Sequence, residues 1–545
     1  MRASRPFRAS VDLRSQVARE WAPGLILALV LFFIGAAMPF SFAPFRLVWL
    51  QPLLLALFLI ACLTARSARL AFQWGLSFGL GQYVVGQGYV FTALHAQGQM
   101  SVTAAGFFYL ALAFYLALYH ALFASLVWRT RRPGNEAGSS LRWIMQVAAL
   151  WFMCEWLRGW LFTGFPGFAL GYAHVDSELR FWAQLGGVQL TGFCVMWMAA
   201  ALASCAPGSN DDIGAWVRKL LWSLAFVCLP LTGAGALSHL EWTHATGRKL
   251  TVALVQGNHS TAARYRDDGV ETSARTYFGL LDQGLEADLF LFPEDVMPMT
   301  IQDLDPELPV LRSLETLLRK NKAHALFGIS YWRDPGSATY SMSMLHLLPW
   351  MHVRDWRNAE RVEKRHLIPF MEYLPAWLSM IDTGGMGIAS NTVRAGAEAA
   401  PVEVKGIRIA ISQCYEFMFG QEIRAVARHA GLLVNAGNDA WFVDTHQPAL
   451  ADEIARMRAI ETGRTVVRVD NVGISGVIRH DGTTQDRLQP FTSAVLLTVV
   501  EERVGSTPFM LFGEGPWIFL FSVVLCCGIR GSRLGRRIVA FVPSR

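Results

Sequence analysis

Charge is what this chain has least of. Only 17% of its 545 residues are Asp, Glu, Lys or Arg, against 53% hydrophobic, where soluble domains carry about 25% charged residues. With a mean hydropathy of +0.31, that shortage excludes an ordinary soluble protein and points to a membrane protein. The sequence also lacks a Gly-rich phosphate loop, Cys/His metal spacing, internal repeats and low-complexity tracts, so neither a metal nor a cofactor is expected. The net charge of +6 does not mark a nucleic-acid binder, because the arginines cluster beside apolar runs as juxtamembrane charges do. Cysteine is sparse outside those runs. Seven of the eight (Cys62, Cys154, Cys194, Cys205, Cys228, Cys526 and Cys527) fall in or at the edge of long apolar stretches, and only Cys414 lies elsewhere.

What is present divides the chain. Apolar runs long enough for the ~20 residues of a bilayer crossing occur near 22–42, 48–65, 70–94, 102–127, 143–163, 186–206, 220–240 and 508–528. The expected organisation is a membrane domain over 1–245 with seven transmembrane helices, a domain of soluble composition over 246–506, and a final helix with a basic tail over 507–545. Arg2, Arg5, Arg8, Arg14 and Arg19 precede the first run; Arg66 and Arg69 follow the second, Arg129, Arg131, Arg132 and Arg142 the fourth, Arg218 and Lys219 the sixth, and Arg530, Arg533, Arg536 and Arg537 the last. Every second loop is basic, which predicts both termini in the cytoplasm and the middle domain outside it. The first run lacks a small-residue cleavage site and reads as a retained anchor. Glu155 and Arg158 stand one turn apart within an apolar run, where ionised groups cost at least ~2.5 kcal/mol each. Two readings fit them, a self-neutralising i,i+3 pair near the outer interface and a pair that shapes a lipid-facing cavity.

Between about 250 and 500 short apolar runs alternate with amphipathic helices. Strands are expected at Leu250–Gln256, Asp288–Glu294, Ala325–Trp332, Ile407–Gln413, Leu432–Asn435, Val466–Asp470, Gly473–Arg479 and Ser493–Val500. Helices are expected at Glu271–Leu285, 308–321, from Gln421, and over about 450–463. The alternation argues for α/β layers. Three strand ends or loops carry ionisable groups: Glu294 after Phe-Pro, Lys364 in Val-Glu-Lys-Arg-His, and Cys414 in Ser-Gln-Cys-Tyr-Glu. A thiol with a pKa of about 8.5 is only a few per cent thiolate at neutral pH and needs a base. A carboxylate can serve, and a lysine can steady the oxyanion of an acyl-transfer intermediate. Each residue alone has an ordinary use too: a helix cap, a solvated loop cation, an inert core thiol.

The segments Phe292-Pro-Glu294, Lys364-Arg-His-Leu-Ile-Pro-Phe-Met-Glu-Tyr-Leu-Pro375, Cys414-Tyr-Glu416, Asn438-Asp-Ala-Trp-Phe442 and Arg458-Ala-Ile-Glu-Thr-Gly-Arg464 resemble the nitrilase superfamily, specifically its membrane branch, the apolipoprotein N-acyltransferases. Ala43-Pro-Phe45, Gly164-Phe-Pro166 and Leu170-Gly-Tyr172 are similar to the same family. The resemblance implies a polytopic membrane domain of about eight helices plus an extracytoplasmic αββα sandwich, in a bacterial inner membrane. It implies Glu294 as general base, Lys364 as oxyanion stabiliser and Cys414 as nucleophile, with Glu372, Tyr415, Glu416, Trp377 and Asn438 shaping the site. The implied reaction takes an acyl chain from a phospholipid as a Cys414 thioester and passes it to the α-amino group of a diacylglyceryl-cysteine lipoprotein. Trp377, Leu378, Met380, Ile381 and Met386, beside Gly384, Gly385 and Gly387, fit either a mobile flap or a packed apolar loop. Met371, and Leu450-Ala451, depart from the family pattern. They keep two alternatives open: a membrane-bound amidase or acyltransferase with another acceptor, for example a conjugal-transfer relative, and a non-catalytic envelope component.

Overall fold

The computed structural model describes residues 24–130, 141–206, 212–264, 266, 268–281, 284–334, 339–373, 393–442 and 445–530. The apolar half forms α1 (Gly24–Ser41), α2 (Leu50–Thr64), α3 (Ala68–Gly86), α4 (Val102–Thr130), α5 (Leu141–Arg158), α6 (Ala183–Ala203) and α7 (Ile213–Leu237). α1, α4, the helical stretch Glu178–Ala203 that includes α6, and α7 are long and apolar enough to cross a membrane; α2 and the apolar stretch Gly515–Cys527 are shorter. Their outward faces carry large apolar side chains such as Leu25, Phe33, Phe107, Trp222 and Phe519, each more than half exposed, a surface suited to lipid rather than water.

Two expected spans end early, for visible reasons. The run expected over 143–163 stops as a helix at Arg158, because Phe162, Thr163 and Gly164 turn with positive φ. The run expected over 70–94 breaks at Gln87 before a short turn of helix, Gly88–Thr92.

The polar middle folds as two sheets. The first contains β1 (Thr243–Gln256), β2 (Leu289–Leu291), β3 (Met297–Thr300), β4 (His324–Asp334), β5 (Thr339–Leu347), β6 (Glu360–Glu363) and, at its far edge, the last strand of the domain, Ala494–Gly505. The second contains β7 (Val402–Val404), β8 (Ile407–Gln413), β9 (Leu432–Gly437), β10 (Thr465–Asp470), β11 (Gly476–Ile478) and β12 (Thr484–Arg487). The edge strand Ala494–Gly505, β13, pairs antiparallel with β1 along eleven positions. β1, β2 and β4 run parallel, as do β8, β9 and β10.

Alternation along these strands sorts the side chains. Leu250, Val252 and Leu254 of β1 meet Ile407, Ile409 and Ile411 of β8 and Val467 and Val469 of β10 in a core between the sheets. The other face of the first sheet, with Val255, Phe290 and Phe292, is covered by α8 (Gly269–Gly279) and α9 (Pro309–Asn321) through Phe278, Leu311, Leu314 and Leu318. The other face of the second sheet, with Ala410, Leu433 and Val466, is covered by α10 (Gly420–Ala427) and α11 (Gln447–Thr462). The layers are αββα. A final helix, α12 (Gly515–Arg530), packs back against α5.

Several strands are longer than expected, and Met297–Thr300, Thr339–Leu347, Glu360–Glu363, Val402–Val404 and Thr484–Arg487 were not expected at all. The helix expected to reach Leu285 ends at Gly279, and the strand expected over Gly473–Arg479 keeps only Gly476–Ile478.

α11 also faces the membrane half. Leu450, Ile454, Met457 and Ile460 share one apolar cluster with Phe42, Tyr172, Ala173 and Val188. Its carboxyl groups dock on interrupted backbone: Glu453 accepts from Ala43 N at 3.1 Å, and Glu461 accepts from Val188 N at 2.7 Å. Val188 follows the break in α6 at Gly186 and Gly187, whose freed N–H groups need an acceptor. Arg456 pairs with Asp176, and Arg458 donates to the Tyr172 hydroxyl at 2.9 Å.

Candidate active site

Parallel strands deliver functional groups from their C-terminal ends, and here β2, β8, β9 and β10 lead into Glu294, Cys414, Asp439 and Asp470. Cys414 begins a single 3-10 turn, Cys414–Met418, directly after β8, with a left-handed φ of 44°. A non-glycine residue holds that conformation at a cost of about 1–2 kcal/mol, so the surrounding turn must impose it. Glu416 does much of this. Its Oε2 accepts from Gln413 N at 2.7 Å, while Oε1 accepts from Arg365 N at 2.6 Å and His366 N at 3.1 Å. One carboxylate thus ties the turn of Cys414 to the loop that follows Lys364.

Lys364 is fully buried at the end of β6. Its Nζ donates to Glu294 Oε1 at 2.9 Å and to Glu372 Oε1 at 2.5 Å. The second oxygen of Glu372 accepts from Ile368 N at 2.7 Å, which fixes the loop. Two carboxylates therefore share one ammonium. Burial pushes the Glu294 carboxyl up to about 7, against the pull of Lys364. Burial opposes the charge of Lys364, but Glu294 and Glu372 more than offset it and hold the ammonium well above its usual range. The Cys414 thiol is raised well above its ordinary value, first by burial and then by the negative charge of Glu294, with Lys364 opposing. At neutral pH it rests as a thiol beside a carboxyl that titrates near 7, the combination a general base requires.

Cys414 and Tyr415 open onto a cavity of about 800 Å³ walled mostly by apolar groups from both halves, including Leu94, Phe108, Leu112 and Phe168. Its lining suits an apolar ligand better than a small polar one. Met371, Leu450 and Ala451 line it too.

The structure brings Glu294, Lys364, Glu372, Cys414, Tyr415 and Glu416 together. Tyr415 donates from its hydroxyl to Gly164 O at 3.2 Å, across to the membrane half. Asn438 does not line the cavity; its Oδ1 accepts from Asn471 Nδ2 at 3.0 Å and shapes the turn after β9. Trp377 and the flap residues Leu378 to Gly387 lie outside the described residues.

A further buried group escaped the sequence reading. Arg468, in β10, donates to Asp439 at 2.7 Å and Asp470 at 3.1 Å, and Asp439 and Arg468 line the cavity with Cys414. The available signal was a single arginine inside the apolar strand Thr465-Val-Val-Arg-Val-Asp470.

Comparison with known proteins gives this arrangement its kin. Residues 34–201 match the apolipoprotein N-acyltransferase N-terminal domain, and residues 251–509 match the carbon-nitrogen hydrolase family. The apolipoprotein N-acyltransferase of Chromobacterium violaceum is 35% identical, over 95% of this chain and 95% of that protein. Those of Methylococcus capsulatus and Ralstonia nicotianae are 33% and 32% identical, each over 92% of this chain and over 95% and 92% of their own lengths. With both halves matched and full-length relatives above 30% identity, the chain belongs to the apolipoprotein N-acyltransferase family.

Proposed function

We propose that the protein N-acylates lipoproteins by a two-step exchange at Cys414. Glu294 takes the thiol proton, and the thiolate attacks an ester carbonyl of a membrane phospholipid. Lys364 stabilises the oxyanion, an interaction of a kind worth about 3 kcal/mol per donor. The tetrahedral adduct collapses, the C–O bond breaks, and the departing lysophospholipid oxygen receives the proton from Glu294. Cys414 is left as a fatty-acyl thioester. The free α-amine of a diacylglyceryl-cysteine lipoprotein then attacks the thioester. Glu294 takes a proton from the nitrogen, the C–S bond breaks, and the thiolate recovers that proton.

One observation carries this reading: a buried Glu294–Lys364–Glu372 group stands beside a thiol that opens on an apolar cavity shared with the membrane half. A lipid chain that enters sideways from a bilayer avoids exposure to water, which costs about 0.8 kcal/mol per CH₂. We assign the protein to a bacterial inner membrane with eight crossings, both termini cytoplasmic and the αββα sandwich periplasmic, on the strength of the alternate basic loops. The domain division at about 245 and 507 belongs to the same reading.

A second reading, transfer to another acceptor, draws on Met371, Leu450 and Ala451, which depart from the family pattern and all line the cavity. Purified protein incubated with labelled phospholipid is expected to carry a hydroxylamine-sensitive acyl group on Cys414, seen by mass spectrometry, and to pass it to a diacylglyceryl-peptide. No adduct on folded protein would refute the thioester; an adduct that the peptide does not discharge would favour the second reading.

A further inference from the structure

One wall of the cavity, beside the Cys414 turn, is built on an ion pair in the membrane half. Arg158 and Glu155 lie in the last turn of α5, both at most 5% exposed, with Arg158 Nη2 3.8 Å from Glu155 Oε1. That separation is long for an ion pair, and their stronger bonds go elsewhere. Arg158 Nη1 donates to Phe165 O at 2.9 Å and also to Gly167 O, while its own carbonyl accepts from Phe165 N at 2.9 Å. Glu155 Oε1 accepts from Leu170 N at 2.9 Å. Every one of these partners is backbone of the segment Phe165–Leu170.

That segment is the wall. Phe165, Gly167 and Phe168 line the cavity together with Cys414 and Tyr415. The residues flanking it are bound to the nucleophile's own turn, since the Tyr415 hydroxyl donates to Gly164 O and the Tyr172 hydroxyl donates to Met418 O at 3.2 Å. Fit around the pair is close. A methyl added at Gly192 of α6 would come within 2.7 Å of Glu155 Oε2.

We infer that Glu155 and Arg158 are positioning residues that set acyl-chain selectivity, by holding Phe165–Leu170 as a fixed wall beside Cys414. The inference rests on the thioester reading above and deepens it. Neither residue is hydrogen-bonded to Glu294, Lys364 or Cys414, and a chainless ester separates any effect on the Cys414 turn from the effect of the wall on a lipid chain. A donor without a chain does not meet the wall; a long-chain donor does.

The test compares full-length wild type and Arg158→Met in detergent, with mass spectrometry reading acyl adducts on Cys414. Donors are dipalmitoyl and dioctanoyl phosphatidylethanolamine and the chainless ester p-nitrophenyl acetate. In R158M the ratio of long-chain to short-chain rates is expected to change by about tenfold, as expected for loss of charge-assisted hydrogen bonds. The p-nitrophenyl acetate rate should stay within about twofold of wild type. Arg158→Lys, which keeps a charged donor, should recover part of the wild-type ratio. An unchanged ratio in R158M, or p-nitrophenyl acetate and lipid rates that fall in parallel, overturns the inference. If R158M does not fold, Gly192→Ala is measured in its place with the same expectation, and an unchanged ratio there overturns it equally. Wild type that forms no adduct with any donor refutes the thioester reading itself, an outcome distinct from an adduct whose chain selectivity ignores Arg158.

Discussion

Two buried ionic groups, one in each half of the molecule, spend their hydrogen bonds in opposite ways. Glu155 and Arg158 give theirs to backbone N–H and C=O groups of one segment. Lys364 gives its side-chain bonds to two other titratable groups, Glu294 and Glu372. A charge bonded to backbone holds a shape, because the backbone cannot exchange a proton with it. A charge surrounded by titratable neighbours can redistribute protons when one of them reacts. Burial costs desolvation in both places, but only the second arrangement is suited to chemistry.

That contrast can be broken most directly at the reactive end. Cys414→Ala should abolish both the acyl adduct and transfer to a diacylglyceryl-peptide while the protein stays folded, as judged by its thermal midpoint in detergent. Residual transfer would mean that another group carries the acyl chain. Lys364→Met should slow adduct formation by about 10²–10³-fold, the usual cost of removing an oxyanion donor; a rate near wild type would make Lys364 a structural cation like Arg158. The pH dependence sharpens the same point. The reactive form of Glu294 is its carboxylate, so below about 7 adduct formation should rise about tenfold per pH unit and then level off above it. A profile flat from pH 5 to 8 would remove Glu294 from the base role. The smallest effect is expected in the structural class: burial pushes the Glu453 carboxyl up to about 8, so it is protonated at neutral pH, and Glu453→Gln should cost less than ~1 kcal/mol. A drop in the thermal midpoint equivalent to several kcal/mol would show that Glu453 works as a charge after all.

The sequence was most readable where a local pattern and a local structure coincide. Ile407–Gln413 has the same bounds as strand and as apolar run, and Leu311, Leu314 and Leu318 lie buried on one face of α9 as their spacing requires. Glu294 and Cys414 each follow an apolar run, but these two and Lys364 stood out together only through the motifs around them that resemble the family. β5 was missed because Tyr340-Ser-Met-Ser-Met-Leu345 alternates small polar and flexible residues rather than branched ones. The Arg468–Asp439–Asp470 group was missed because its members are joined only when β9 and β10 pair in parallel, a contact between segments 29 residues apart. The role of Glu155 and Arg158 was open for a similar reason: their i,i+3 spacing is visible, but the backbone N–H and C=O groups they bond follow the left-handed turn at Phe162–Gly164.

α11 carries a last consequence. One of its sides completes the outer layer of the sandwich, and the other supplies Leu450, Ile454, Met457 and Ile460 to a cluster with the membrane helices. The two halves therefore have no clean seam. A catalytic domain cut free of its helices would present to water a greasy strip and the Glu453 carboxyl stripped of its Ala43 N–H partner, and would gather into aggregates instead of behaving as a smaller soluble enzyme.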